Sequence, residues 1–164
     1  MKEKNNEARR CFDEWIATVR DAVAYVRTLP NVDADRVGIA GFSLGGYLAL
    51  ASAPQCNPPV RAVVEMFGGV PEEKARNLGR MPPTLIVHGR VDDIVSVSEA
   101  FKAAGLILAQ KQRVEIQIHE NVGHVCSYPG TTMPNMKELT LARNRMADFF
   151  VEQFTVAGAG IARK

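Results

Sequence analysis

The sequence predicts an α/β fold, a mostly parallel sheet with helices packed on both faces. Short apolar runs typical of buried strands recur along the chain. Between them lie segments whose apolar residues are three and four positions apart, as in amphipathic helices. Glycine and proline mark many of the boundaries between these segments. Because strands that alternate with helices pair in parallel through crossover connections, this pattern favours a sheet covered on both sides.

The individual elements follow in a simple order. An amphipathic helix carries apolar residues from Cys11 to Val26, with Trp15 expected in the core, and ends before Pro30. Four strand-like runs follow, at Val37–Phe42, Val60–Phe67, Thr84–His88 and Val114–His119. Further helices are predicted near Leu44–Ala53, Val97–Leu108 and Leu139–Phe154. In such sheets a site is expected in the turns that follow the carboxyl ends of the strands.

Length and composition indicate one ordinary globular domain. The 164 residues are 46% hydrophobic and 23% charged, with a formal net charge of +2 at pH 7. Scattered Lys and Arg residues argue against a nucleic-acid partner, and no apolar run suits a signal peptide or a membrane span. Three cysteines without metal-type spacing are typical of free thiols, so a cytoplasmic location is expected. We expect one domain over residues 1–154 and a flexible tail over residues 155–164.

The turn after the first strand, Gly41-Phe-Ser-Leu-Gly-Gly46, fits two interpretations. One is a dinucleotide-binding fingerprint with Ser43 at the middle glycine position and Glu65 near the place of a ribose-binding acid. A side chain at that middle position obstructs a pyrophosphate, which disfavours this interpretation. The other is a nucleophile elbow, G-x-S-x-G, whose sharp strand-to-helix turn presents the serine hydroxyl. The amide of Leu44, at the helix N-terminus, would then stabilise an oxyanion.

A nucleophilic serine needs a histidine base and an acid that orients the histidine. In the elbow fold their order along the chain is Ser, then Asp or Glu, then His. Asp92 and Asp93 follow the third strand, and His124 follows the fourth. These candidates therefore lie at one end of the sheet in the required order, which favours the elbow. From the residues alone, Asp93 and Glu65 remain alternatives to Asp92 as the acid.

Three segments resemble those of α/β-hydrolases, most closely dienelactone hydrolase-like and prolyl-oligopeptidase-like esterases: Gly41–Gly46, His88–Val95 and Gly123-His124. The resemblance covers about residues 15–154. It implies a triad of Ser43, Asp92 and His124, with the acid at the first Asp of the H-G-x-x-D-x-x-V segment. It also favours a serine esterase over dienelactone hydrolase itself, which carries Cys at the nucleophile position.

The resemblance to this family extends only to its C-terminal half. Family members usually have several strands before the elbow, and a loop among those strands supplies the second oxyanion amide. Here the elbow is already at residue 43, so the N-terminal strands of the family are absent from the sequence. Two alternatives therefore stay open, a weak or inactive half-fold that pairs with another chain and a Rossmann-like nucleotide-binding module. An open edge on the first strand would recruit a second copy or a complementing chain.

The expected activity is hydrolysis of an ester or related acyl bond in a small-molecule substrate, through an acyl-enzyme on Ser43. We expect no metal or organic cofactor, because serine, histidine, aspartate and water suffice for this chemistry, and no membrane partner. His88 is expected to shape its turn, and His119, on the polar face of its strand, to be solvated. The expected walls of the substrate pocket are Phe42, Met66, Phe67 and Tyr128.

Overall fold

Helices and strands follow the predicted order, with one short additional helix between the second and third strands. The computed structural model describes residues 2–76 and 78–155, with side chains from Cys11 onward. The helices are α1 (Lys2–Val26), α2 (Leu44–Ser52), α3 (Glu72–Ala75), α4 (Val97–Ala109) and α5 (Met136–Thr155). The strands are β1 (Ile39–Phe42), β2 (Val63–Met66), β3 (Thr84–Gly89) and β4 (Val114–His119). Of the predicted tail, Thr155 ends α5 and the rest lies outside the described residues.

The four strands form one parallel sheet in the order β1-β2-β3-β4. Ile39 pairs with Val63, and His88 pairs with Ile118. The predicted parallel sheet is therefore confirmed, although β1 and β2 begin two and three residues later than predicted. Since all four strands run the same way, their carboxyl ends and the turns that follow them lie along one edge of the sheet.

Helices cover both faces of the sheet, as the alternating pattern predicts. One core cluster joins the sheet to α2, α4 and the end of α1 and includes Leu50, Ile86 and Ile107. The second cluster lies under α5 and includes Val87 and Phe149. Ile86 and Val87 are neighbours on β3 yet belong to opposite clusters, because successive side chains of a strand point to opposite faces.

The first helix buries a narrower stripe than predicted. Ile16 and Val23 are buried, whereas Trp15, expected in the core, is 45% exposed. The main neighbour of α1 is α2, and one neighbouring helix covers only one line of side chains. Among the described residues, no helix combines the length and the apolar character needed to cross a bilayer.

Strand β1 lies at the edge of the sheet, with β2 as its neighbour on one side. The amides of Ile39 and Ser43 donate to carbonyls of the β2 segment. Because backbone groups of successive residues point to opposite sides of a strand, those of Ala40 and Phe42 point outward. The described part of the chain supplies no strand there, and both residues are exposed. Within residues 2–76 and 78–155, the backbone donors and acceptors on the outer edge of β1 therefore have no strand partner.

We propose that the purified chain self-associates through β1. A short apolar edge without charged residues pairs readily with another strand. Of the two edge strands, β4 carries Glu115 and β1 has no charged residue, so the proposed partner is β1 of a second copy. Light scattering should give a mass above that of the monomer. Ala40→Pro should reduce this mass, because proline removes an outward-facing N–H that β2 does not use.

Three results would contradict self-association through β1. A monodisperse monomer whose Ala40 and Phe42 amides resist hydrogen exchange would mean that another part of this chain covers the edge. A monomer with rapidly exchanging amides at these positions would mean that the edge recruits no second copy. A stable complex formed only with a second, different chain would replace self-association by complementation. Ser98→Ala, on the exposed surface of α4, is the control and should leave the mass unchanged.

Candidate active site

Ser43 lies on the sharp turn between β1 and α2. Its backbone angles, φ 52° and ψ −120°, belong to a sparsely populated region that non-glycine residues occupy only under constraint. Its N–H donates to the Met66 carbonyl oxygen, and its own carbonyl accepts from the Gly46 amide, both at 2.8 Å. A Cβ on Gly41 would overlap the Gly45 carbonyl, so glycine alone allows the strand and the helix to approach this closely. This turn has the geometry of a nucleophile elbow.

Two loops at the carboxyl edge of the sheet carry the other candidate residues, Asp92 after β3 and His124 after β4. A backbone hydrogen bond joins the loops, from the Val91 N–H to the Val122 carbonyl oxygen at 3.2 Å. A Cβ on Gly89 would overlap that same oxygen. Glycine at this position therefore permits the close approach that brings the two loops together.

The side chains of Ser43, His124 and Asp92 form one hydrogen-bonded chain. His124 Nε2 lies 3.0 Å from Ser43 Oγ, and His124 Nδ1 lies 2.8 Å from Asp92 Oδ2. A carboxylate beside Nδ1 favours the tautomer that carries its proton there, which leaves Nε2 free to accept the hydroxyl proton. The arrangement is therefore able to remove a proton from Ser43.

Asp92 is the acid that contacts His124. Its side chain is 0% exposed, and its Oδ1 accepts hydrogen bonds from the amides of Ile94 at 2.9 Å and Val95 at 2.8 Å. These two bonds fix one carboxylate oxygen and leave Oδ2 directed at His124. Asp93, the neighbouring alternative, is exposed. The geometry thus separates two acids that are adjacent in the sequence.

Glu65, the third candidate acid, lies beneath the elbow. It is fully buried, its Oε1 accepts from the Gly68 amide at 2.5 Å, and its Oε2 has no partner among the described residues. A Cβ on Gly46 would lie 2.8 Å from Oε1, which places the carboxyl against the first turn of α2. Burial raises the pKa of Glu65 to about 8, and the Gly68 hydrogen bond opposes this shift only in part.

Leu44, the predicted oxyanion donor, is the first residue of α2. An amide at this position has no acceptor within its own helix, and the helix N-terminus carries partial positive charge. The Leu44 N–H therefore offers a donor next to Ser43. Within the part of the chain that the structure describes, no cluster of three His, Cys, Asp or Glu residues is placed to hold a metal ion.

Of the four residues expected to line the substrate pocket, two are exposed and two are buried. Phe42 and Tyr128 are exposed, at 38% and 48%. Met66 and Phe67 have no exposed surface, so neither forms the pocket wall that we expected. They lie at the end of β2, an inner strand, and both side chains pack in the core cluster under α5. Phe67 packs instead against His124, with 6.1 Å between the ring centroids.

His119 is buried rather than solvated. It is 6% exposed, and its Nδ1 lies 2.6 Å from Glu138 Oε2. The strand pattern placed His119 on a polar face, but α5 begins beside the end of β4 and covers it. The hydrogen bond joins the end of β4 to the first turn of α5, a link that the sequence did not reveal.

Most of the chain is similar to proteins of a known family. The model of the dienelactone hydrolase family matches residues 3–154. The "Putative carboxymethylenebutenolidase" of Synechocystis sp. is 25% identical over 120 residues, which are 71% of this chain and 47% of that protein. The chain therefore spans about half the length of this curated relative.

Two solved structures illustrate the similarity of the fold. One is the dienelactone hydrolase-like promiscuous phosphotriesterase P91 from metagenomic libraries, with a TM-score of 0.73 and 20% identity. That match covers 92% of this chain and 65% of the other. The other is dipeptidyl peptidase 4 of Porphyromonas gingivalis, with a TM-score of 0.68 and 22% identity, covering 84% of this chain and 22% of that one. At these identities the two matches show the fold alone.

Proposed function

The chain belongs to the dienelactone hydrolase family, and from this premise we propose that it is a serine hydrolase of the carboxylesterase type. The observation that carries the proposal is the hydrogen-bonded chain from Ser43 through His124 to Asp92. Ser43 lies on a turn with the backbone geometry of a nucleophile elbow. A serine hydroxyl is a weak nucleophile, and this arrangement is a recurrent means of activating it. The proposed substrate is a small molecule with an ester or related acyl bond.

In the proposed reaction, Ser43 Oγ attacks the acyl carbon while His124 Nε2 accepts its proton. The bond from the acyl carbon to the alcohol oxygen then breaks, and His124 returns the proton to the departing alcohol. An acyl group remains on Ser43. Water attacks this group while His124 accepts one of its protons. The acyl–Oγ bond then breaks as His124 returns that proton to Ser43 Oγ, and the carboxylic acid leaves. Asp92 stabilises the imidazolium that forms in both halves of the reaction.

The Leu44 N–H is the proposed donor to the oxyanion that develops during each attack. Around it the elbow is open, because Leu44 is 51% exposed and a Cβ on Gly45 would meet no atom within 4 Å. Loss of one oxyanion donor costs an enzyme roughly 10²–10³ in kcat. This openness, together with the free edge of β1, favours a second candidate, a weak half-fold completed by another chain.

A fluorophosphonate probe tests the proposed function directly. We expect Ser43 Oγ to attack phosphorus and expel fluoride, which adds one phosphonyl group to the protein by intact mass. Ser43→Ala should abolish the adduct. Ser98→Ala removes an exposed serine on α4 and should be labelled like the wild type.

Two results would contradict the proposed serine chemistry. One is an adduct that peptide mapping places on a residue other than Ser43. The other is a folded chain that stays unlabelled under conditions that label a known serine esterase. An unlabelled chain that self-associates would support the inactive half-fold instead.

A further inference from the structure

A second histidine lies against the carboxylate that holds His124. His88, near the end of β3, is fully buried. Its Nε2 lies 3.4 Å from Asp92 Oδ2 and 2.9 Å from the Val95 carbonyl oxygen. Asp92 Oδ2 therefore has an imidazole on each side, one from β3 and one from the loop after β4.

The surroundings of His88 identify it as a hydrogen-bond donor. Its Nε2 faces a carbonyl oxygen and a carboxylate oxygen, which are both acceptors, so the proton belongs on Nε2. Its Nδ1 is buried and has no partner among the described residues. A second proton on Nδ1 would be a buried donor without an acceptor, which is costly. The neutral tautomer with the proton on Nε2 fits the site.

The bond from His88 to Val95 closes a ring of contacts around the carboxylate. The Val95 N–H donates to Asp92 Oδ1 at 2.8 Å, and the Val95 carbonyl accepts from His88. The turn over residues 92–95 is thereby tied back to β3, the strand from which it emerges. The Phe67 ring packs 5.7 Å from the His88 ring, centroid to centroid, and leaves it little freedom to move.

We infer that His88 is a positioning residue for Asp92. Its Nε2–H donates to the Val95 carbonyl and so keeps the Asp92 carboxylate where Oδ2 contacts His124 Nδ1. The inference rests on the proposed function for its effect on rate, because the position of Asp92 matters most when His124 acts as a base. The positioning role is assigned to the hydrogen-bond donor on Nε2, and not only to the volume that the imidazole fills.

Two substitutions of His88 distinguish the effect of its Nε2 donor from the effect of its side-chain volume. Gln places an amide N–H close to the position of Nε2, whereas Leu fills similar space without a donor. Misplacement of a catalytic group by 1 Å costs about 10²-fold, so we expect His88→Leu to slow labelling of Ser43 by about 10-fold to 100-fold. His88→Gln should stay within about threefold of the wild type, since it restores the donor.

His119 provides the matched control. It is also a buried histidine at the end of a strand, opposite Gly89 in the register of β3 and β4. Its hydrogen bond goes to Glu138 and not to Asp92. His119→Leu therefore removes a comparable buried imidazole without touching the carboxylate, and should label at the wild-type rate.

A second measurement does not depend on activity. In protein with ¹⁵N-labelled histidine, the Nδ1–H proton of His124, bonded to Asp92, should resonate far downfield. His88→Leu should broaden or shift this signal, and His88→Gln should preserve it. If His88→Leu does not fold, His88→Asn takes its place, because its shorter amide does not reach Val95.

The outcomes distinguish this inference from the proposed function. Wild-type protein that is never labelled contradicts the proposed function, while the downfield proton still tests the positioning role. The inference is overturned if the donor-free variant leaves both the labelling rate and the proton signal unchanged. It is also overturned if His88→Gln loses as much as His88→Leu, or if His119→Leu loses as much as either.

Discussion

Replacing His124 with alanine is expected to slow both ester hydrolysis and labelling of Ser43 by about 10³-fold, the range that a positioned general base contributes. In the wild type, His124 Nε2 is the acceptor 3.0 Å from the serine oxygen. Alanine leaves that oxygen without a base, and the remaining acceleration would come from binding and the Leu44 amide. Hydrolysis of a short p-nitrophenyl ester and the rate of fluorophosphonate labelling measure the two effects separately.

The two adjacent aspartates should behave very differently in the same assays. Asp92→Asn puts a neutral amide beside His124 Nδ1, which no longer stabilises the imidazolium and favours the wrong tautomer, so a loss of about 10³-fold or more is expected. Asp93 is exposed, and Asp93→Asn should remain within about twofold of the wild type. Equal losses at the two positions, or full labelling in His124→Ala, would show that the assignment of base and acid is wrong.

The strand ends made the positions of Ser43, Asp92 and His124 predictable. Ser43 and Asp92 follow short apolar runs typical of buried strands, and His124 follows an alternating run typical of a half-exposed strand. Parallel strands bring their ends to one edge. The choice among three acids was different, because it depends on how two loops approach one another. Asp92 and Asp93 have the same chemistry and neighbouring positions, and only the folded turn directs one of them toward His124.

The spacing of apolar residues predicted which side chains are buried only where it also predicted which element packs against them. Trp15 belongs to an apolar stripe, but α1 has only one main helix neighbour, so part of the stripe remains exposed. His119 alternates with apolar residues like a solvated side chain, but the start of α5 covers it. Met66 follows a strand pattern compatible with a pocket wall, and its burial reflects a place on an inner strand.

The dinucleotide-binding interpretation of the turn at Ser43 shows the limit of a short motif. The outer glycine spacing and a well-placed Glu65 supported it from the sequence. In the folded chain the Ser43 side chain is hydrogen-bonded to His124, and Glu65 is buried beneath the turn where no ribose reaches it. Because the two motifs share glycines that allow a strand and a helix to approach, those glycines alone do not discriminate between them.

The buried carboxyl of Glu65 should make the fold more stable in acid than in mild alkali. In the folded chain its pKa is about 8, raised by burial from an ordinary value of 4.5. Well below pH 4.5 the group is protonated in both states, and its contribution to stability is complete. Between these two pKa values the unfolded chain releases the proton while the folded chain retains it, so the free energy of unfolding falls as pH rises. Above the folded pKa the fall ends.

Glu65→Gln isolates this effect, because glutamine keeps the shape and the oxygen that accepts from Gly68 but does not ionise. A shift of one pKa unit corresponds to about 1.4 kcal/mol, so the wild type should lose on the order of 5 kcal/mol relative to the variant between acid and pH 9. Urea unfolding at one protein concentration, from pH 5 to pH 9, measures the difference. Glu73→Gln, on the exposed surface of α3, should follow the wild type at every pH. A constant difference between Glu65→Gln and the wild type across this range would mean that Glu65 is ionised in the folded chain.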